Sequence, residues 1–363
     1  EGYRVHATTS PHLVRYNERI RVAGELIEDA RLAELLEEVF DAAAGLEPSF
    51  FEVTIAASFL EFARVPADAC VIEVGLGGRL DATNLIAKPN VCGIAALGLD
   101  HEKFLLAPED GVPTEPMARI AFEKAGIAKT GVPLVTMGED DYPYDALRSI
   151  ERVAEERGAI HLEKSRQWGA TIGISRSDVY RDEAGNRLKL PRPALRGAHQ
   201  GENAGLAIAM LRHQEKVTVS DHAIGTGLRS VTWPARMQLL SDGPLIALTS
   251  DRKVWLDGGH NSSAGDAIAQ SIDGPIHLVI GMLDNKAPRA LLHPLREKIR
   301  SLQIVPVPGH DSHPVSAFGE DAVAREDLAE ALLNVPSDDF PILIAGSLYL
   351  AGEALRLNDE IPD

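Results

Sequence analysis

Long hydrophobic runs are missing from this sequence. No apolar stretch approaches the roughly 20 residues a membrane-spanning helix requires, so no membrane partner is expected. Cysteine is scarce: the 363 residues hold two, Cys70 and Cys92, both inside apolar runs that read as strands. Two buried thiols suit a reducing compartment, and a cytoplasmic protein is expected. Positive charge is in deficit, with 36 Lys and Arg against 54 Asp and Glu and a net charge of -18. Phosphate backbones need a basic surface, which argues against a nucleic-acid partner. A nucleotide needs only a local positive pocket and stays open. No internal repeat, low-complexity linker or signal peptide is visible, and the first residue is Glu1. Glu1-Gly2-Tyr3-Arg4-Val5 reads as a helix tail, a glycine stop and a new strand, so further residues are expected upstream.

What is present is the composition of a globular protein, 45% hydrophobic and 25% charged. The length exceeds one ordinary core and suits two domains. Strands and helices alternate, which predicts α/β architecture with mainly parallel sheets covered by helices. Helices are expected over 25–44, where Leu32, Leu35, Leu36 and Val39 share a face, and over 51–62, 115–129, 145–157, 198–212 and 220–229. Strands are expected at 69–74, 91–97 and 133–136, with a hairpin around Asp182-Glu183-Ala184-Gly185-Asn186. A second unit begins near Thr232-Trp233-Pro234, with strands at 253–257, 276–280, 303–307 and 341–345. The expected division is a larger domain over 1–231 and a smaller open-sheet domain over 232–363.

The most informative stretch is Val71-Ile72-Glu73-Val74-Gly75-Leu76-Gly77-Gly78-Arg79-Leu80-Asp81-Ala82-Thr83-Asn84. A strand ends in the carboxylate of Glu73 and runs into glycines. In open α/β sheets, ligands bind at the carboxyl ends of strands. Alone, the pattern also fits tight-turn glycines, or a dinucleotide or methyl-donor loop. A methyltransferase would leave His101, Lys124 and Asp257 without roles. Thr9-Ser10-Pro11-His12-Leu13 reads as a turn, or as a loop that aims the Ser10 hydroxyl at a metal or phosphate. Leu99-Asp100-His101 closes the next strand, where His101 is a loop residue, a metal ligand or a proton carrier. Lys124 continues the apolar stripe of Met117, Ile120 and Ala121. An inward lysine must snorkel, meet an anion, lose its charge or be modified. Gly197-Ala198-His199-Gln200-Gly201-Glu202-Asn203 opens a helix, where capping explains part of its polarity. Trp233-Pro234-Ala235-Arg236 and Asp257-Gly258-Gly259-His260-Asn261 stand at the domain boundary and at a strand end.

Taken in order along nearly the whole chain, these landmarks resemble the folylpolyglutamate synthase and dihydrofolate synthase family of the Mur ligase superfamily. The resemblance implies a Mur-ligase-type central domain plus a smaller Rossmann-like domain, with ATP and Mg2+ as cofactors. It implies a metal shell of Ser10, Glu73, His101 and Lys124, the lysine carbamylated, with Lys124, His101 and Glu73 catalytic. Asn203, Arg236, Asp257 and His260 are implied to hold adenine and ribose, Arg236 facing Asp257 across a cleft. Glu52 matches a further landmark, although a helix N-terminal acid explains it as well.

Two positions depart from the family pattern. Its phosphate loop does not appear ahead of the opening strand, and without that loop ATP phosphates lack their backbone cradle. Gly259 replaces the usual alanine. The implied reaction joins L-glutamate to dihydropteroate or a folate through an acyl phosphate, in a protein acting as a monomer. The alternative is an inactive nucleotide- or folate-binding relative.

Overall fold

The computed structural model describes residues 1–172, 178–250 and 252–363. The first part of the chain forms three small sheets. Val5–Thr8 lies at the centre of one, parallel to Ala69–Ile72 and antiparallel to Ile20–Val22, which in turn pairs with Glu25–Leu26. The last of these strands is the reason the first helix spans Asp29–Ala42 and not 25–44. Ala23 and Gly24 both take positive φ, 55° and 98°, and this turns the chain into a tight hairpin before the helix begins. Helix Phe50–Arg64 packs on the first helix around Ile20, Ile27, Leu32, Leu35 and Ala57.

A second sheet is wholly parallel, in the order Cys92–Ile94, Pro133–Thr136, Ile160–Glu163. Helices Pro116–Ala125, Tyr144–Arg157 and Ala198–Arg212 contribute to its core with Ala121, Ile150 and Ala209. The third sheet is antiparallel, with strands Trp168–Thr171, Asp178–Asp182 and Arg187–Leu190. The expected hairpin closes here: Asn186 Nδ2 donates to the Asp182 carboxylate.

From Gln238 onward the architecture is one six-stranded sheet. Its order is Gln238–Leu239, Val254–Leu256, Ile342–Ala345, Ile276–Ile280, Ile299–Ile304, Ala322–Ala324, parallel except for the first strand. Alternation places successive side chains on opposite faces. Val279, Ile342 and Ile344 join the core with helices Leu328–Leu333 and Leu348–Leu357, whereas Leu278, Ile280 and Leu343 join that of Ser262–Ser271 and Pro288–Leu295. Both faces are therefore covered by helices, as a buried parallel sheet requires. The strand expected at 303–307 begins four residues earlier, at Ile299, and stops at Ile304. Its ladder ends opposite Ile280, the last residue of the partner strand, although apolar residues continue to Val307.

The two parts are packed against each other. Leu13 and Val14, in the loop after the opening strand, add to the core of the second part. A Cβ on Gly352 would lie 2.0 Å from the Leu13 carbonyl, so only glycine permits this approach. The Arg196 guanidinium lies 4.4 Å over the Trp255 ring. Among the described residues no helix is long and apolar enough to cross a membrane.

Candidate active site

A cavity of about 1020 Å³ opens where the two parts meet. Ser10, Glu73, Glu52, His101 and Arg79 line it from the first part; His260, Lys286, Ser347 and Tyr349 line it from the second. Glu73 stands one residue beyond the strand Ala69–Ile72, its backbone N–H held by the Thr8 carbonyl at 3.0 Å. Its Oε2 accepts the Ser10 backbone N–H at 2.7 Å. The carboxylate is reachable from the cavity yet crowded by protein on its other sides. Desolvation pushes its pKa up, opposed by the Ser10 N–H and the charges of Arg236 and Arg19.

The residues after Glu73 form a knitted loop. Asp81 Oδ2 accepts the N–H groups of Gly75 and Leu76 at 3.1 and 2.9 Å, and its Oδ1 accepts from Thr83 N and Oγ1 at 2.9 and 2.6 Å. Asn84 Nδ2 donates to the carbonyls of Arg79 and Gly126, and its Oδ1 accepts Lys129 Nζ at 2.7 Å. Gly78, at φ 157°, lies against the end of the next helix: an added Cβ would be 2.7 Å from Ile127 and 3.1 Å from the Lys124 carbonyl. Much of the motif's polarity is therefore architectural. It ties the glycine loop onto the helix that carries Lys124.

Lys124 was expected to point toward both Glu73 and His101. Burial lowers the pKa of its amine, opposed by the charge of Asp100. His101 shares this corner: desolvation lowers its pKa, Asp100 opposes, and Lys286, His260 and Lys124 add to the lowering. Of the expected shell, Ser10 and Glu73 share a hydrogen bond, and Lys124 acts on His101 by charge. Among the described residues no three His, Cys, Asp or Glu side chains form a ready metal cluster. Glu73 nevertheless offers a hard oxygen donor to the cavity, and His101 is open to the same space.

Sequence reasoning passed over the residue at the centre of the junction. Asp100 accepts Lys286 Nζ at 2.6 Å, His260 Nε2 at 3.3 Å, Asn261 Nδ2 at 3.3 Å and its neighbour's His101 N–H at 2.8 Å. These bonds, that from His260 foremost, hold its carboxyl far below the usual carboxylate range in spite of burial. Lys286 is itself positioned, because its carbonyl contacts His313 Nε2 at 2.5 Å. The available signal was the Asp-His pair at a strand end, but which of its two members reaches the other part depends on geometry.

Asp257 and Arg236 were expected to face each other across a cleft. Arg236 lies two residues ahead of strand Gln238–Leu239, and Asp257 one residue past its antiparallel neighbour Val254–Leu256. The Asp257 carboxylate accepts the Met237 and Gly259 N–H groups at 2.9 and 2.8 Å, bracing a loop in which Ala235 and Met237 have positive φ. Burial raises its pKa, those two N–H groups oppose, and Arg236 acts on it only by charge. Asn203 Nδ2 donates to Gln200, whose side chain contacts His199 Nε2 at 3.0 Å. His260 contacts Asp100 and also acts on Asp257 by charge. Glu52 completes a reciprocal cap with Ser49, its carboxylate accepting the Ser49 N–H at 2.7 Å, so capping accounts for it.

Two α/β lobes that enclose a cavity lined by carboxylates, imidazoles and lysine make up a two-lobed enzyme whose chemistry is sheltered at the junction. No family model matches the chain. It is 32% identical over 376 residues to the folylpolyglutamate synthase of Lacticaseibacillus casei, covering 96% of this chain and 82% of that protein. It is 30% identical to a bifunctional folylpolyglutamate synthase/dihydropteroate synthase of Halobacterium salinarum, covering 97% of this chain but only 43% of that longer protein. Among solved structures it is similar to Escherichia coli FolC in complex with DHPP and ADP, with TM-score 0.82 and 28% identity over 99% of this chain and 82% of that one. A bifunctional folylpolyglutamate synthase/dihydrofolate synthase with Mn, AMPPNP and L-glutamate bound gives TM-score 0.81 and 27% identity over 98% and 82%. The chain belongs to the folylpolyglutamate synthase and dihydrofolate synthase family.

Proposed function

We propose that this chain is an ATP-dependent ligase that joins L-glutamate to dihydropteroate, to folates or to both, using ATP and a divalent metal. The observation that carries this reading is the interlobe cavity. It joins Glu73 and His101 of one lobe to His260 and Lys286 of the other. Amide formation from a carboxylate needs activation, and transfer of a phosphoryl group from ATP to that carboxylate supplies it as an acyl phosphate. The amine of glutamate then attacks the acyl carbon, and phosphate leaves from the tetrahedral intermediate.

Each lobe has a part in these steps. Glu73, His101 and a carbamylated Lys124 would hold magnesium beside Ser10, where the metal would neutralise charge on the transferring phosphoryl group. Asn203 and Arg236 would hold the nucleoside, with Asp257 bracing the loop of Arg236. The Asp100 junction would keep the lobes together and water away from the acyl phosphate. We place the division between the lobes at residues 231 and 232, and the working protein as a monomer in the cytoplasm. Apolar cores that lie mainly on one side or the other of that division support its place, and the cysteines are unpaired, Cys92 buried as expected and Cys70 exposed.

The test is ADP release by the purified protein with ATP, magnesium and glutamate, offered either dihydropteroate or tetrahydrofolate. Release that requires both glutamate and a pteroyl acid is the expected result. Nucleotide binding with no acid-dependent turnover would establish the inactive relative instead. Arg236→Ala is expected to weaken ATP binding roughly tenfold to a hundredfold, as for loss of a charge-assisted hydrogen bond. Unchanged ATP affinity by calorimetry would remove Arg236 from the nucleotide site.

A further inference from the structure

One end of the interlobe cavity carries a charge arrangement that the steps above leave unused. Arg79 and Arg119, both in its wall, converge on Glu109: Arg79 Nη2 donates to Glu109 Oε2 at 2.5 Å and Arg119 Nη2 to the same oxygen at 2.9 Å. The two guanidiniums also share Glu123. Arg79 Nε and Nη2 donate to it at 3.0 and 2.9 Å, and Arg119 Nε lies 3.0 Å from its Oε1 without hydrogen-bonding geometry.

The two carboxylates differ in permanence. Arg119 and Glu123 are one helical turn apart on Pro116–Ala125, with side chains only 6% and 7% exposed. Glu109 comes from the irregular segment ahead of that helix, and its side chain is 40% exposed. Two fixed guanidiniums beside one fixed carboxylate leave one positive charge over, and Glu109 supplies the balancing anion from a movable position. A buried guanidinium left without an anion is costly, so whatever displaces Glu109 must itself be an anion. Two guanidiniums converging on one carboxylate oxygen, with further N–H groups beside it, suit a carboxylate.

The chemistry of the acceptor acids says which carboxylate would come here. Dihydropteroate has a single carboxylate, the one that reacts. An acid already ending in glutamate has two, a reacting one and a bystander a few bonds away on the same residue. The bystander must enter the same cavity, next to Glu73 and to the phosphates, and needs a cation of its own. Arg119 and Glu123 lie on the helix of Lys124, within a turn or so of it, which puts this pair beside the proposed reaction centre. We propose that Arg79 and Arg119 form a subsite for the non-reacting carboxylate of a glutamate-terminated pteroyl substrate, and that Glu109 fills it until such a substrate binds. This rests on the ligase reading above and deepens it. The subsite is what lets a chain that takes dihydropteroate also take a folate.

The experiment compares wild type, Arg119→Met and Glu109→Gln with dihydropteroate and with tetrahydrofolate monoglutamate as acceptors. Turnover and the calorimetric affinity for each acid are both measured. Arg119→Met is expected to lower the preference for tetrahydrofolate over dihydropteroate, as the ratio of kcat/KM and of affinities, roughly tenfold to a hundredfold. Glu109→Gln, at an exposed position that should leave folding intact, is expected to shift the same ratios several-fold the other way. Ratios that neither variant moves, or a wild type that neither binds nor ligates tetrahydrofolate, would overturn the subsite. If the wild type ligates neither acid, the ligase reading fails by itself. The affinity ratios then still decide the subsite: shifted ratios support it and unshifted ratios end it.

Discussion

Lys124→Ala is expected to lower ligation by about three orders of magnitude, the scale seen when a preorganised group that stabilises transition-state charge is removed. The reason begins with burial. Desolvation lowers the pKa of this amine against the attraction of Asp100, so a larger share of it is uncharged at neutral pH than for a surface lysine. An uncharged amine adds to the carbon of CO2 and loses a proton, which gives a carbamate. The positive side chain becomes a negative one with the oxygen ligands that magnesium prefers. The variant should fold at least as stably as the wild type, because a desolvated amine is exchanged for a methyl group. Lost turnover with an unchanged or higher Tm is therefore the signature, and added short-chain carboxylic acids should restore part of the rate. Near-normal turnover in Lys124→Ala would take the proposed metal shell apart at its centre.

The second large effect is expected at Asp100. Replacing it with alanine leaves Lys286 without its carboxylate at 2.6 Å and removes the contacts from His260 and Asn261. Both ends of the Asp100–Lys286 pair are largely shielded, with side chains 25% and 19% exposed, so the pair should couple by about 1–3 kcal/mol in a double-mutant cycle with Lys286→Met. Opening of the lobes should appear as a larger radius of gyration in scattering and as a drop in kcat. Because the folded pKa of Asp100 lies far below its unfolded value, its contribution is complete above the unfolded value. It is lost only as pH falls through the folded one. The junction should accordingly persist from neutral pH down to about pH 4, near the ordinary aspartate pKa, and activity changes above that must come from other groups. A cycle with no coupling, or scattering unchanged in Asp100→Ala, would make the junction a surface ion pair without mechanical consequence.

The sequence by itself determined the alternation of strands and helices, the family, and the identity of most groups around the cavity. These depend on local signals. Helix Ala198–Arg212 and strand Ile276–Ile280 were legible to the residue, because an apolar pattern with a clear start and stop is a property of a few neighbouring side chains. The glycine loop after Glu73 was legible as a motif for the same reason. Only the tertiary structure decided how those groups are shared out. Asp81 and Asn84 knit the loop after Glu73 onto the end of the helix that carries Lys124, and no spacing in the chain encodes those bonds. Asp257 turned out to brace backbone N–H groups, because a buried carboxylate takes the nearest donors. Asp100 and Lys286 are 186 residues apart, as are no two members of any motif read from the chain, and they meet only because the lobes pack. Arg79 was read in the sequence as part of the glycine motif, whereas Arg119 and Glu109 carried no signal there. Folding shielded Arg79, Arg119 and Glu123 and left Glu109 at their exposed edge, and pairing there is what gave the four a common role.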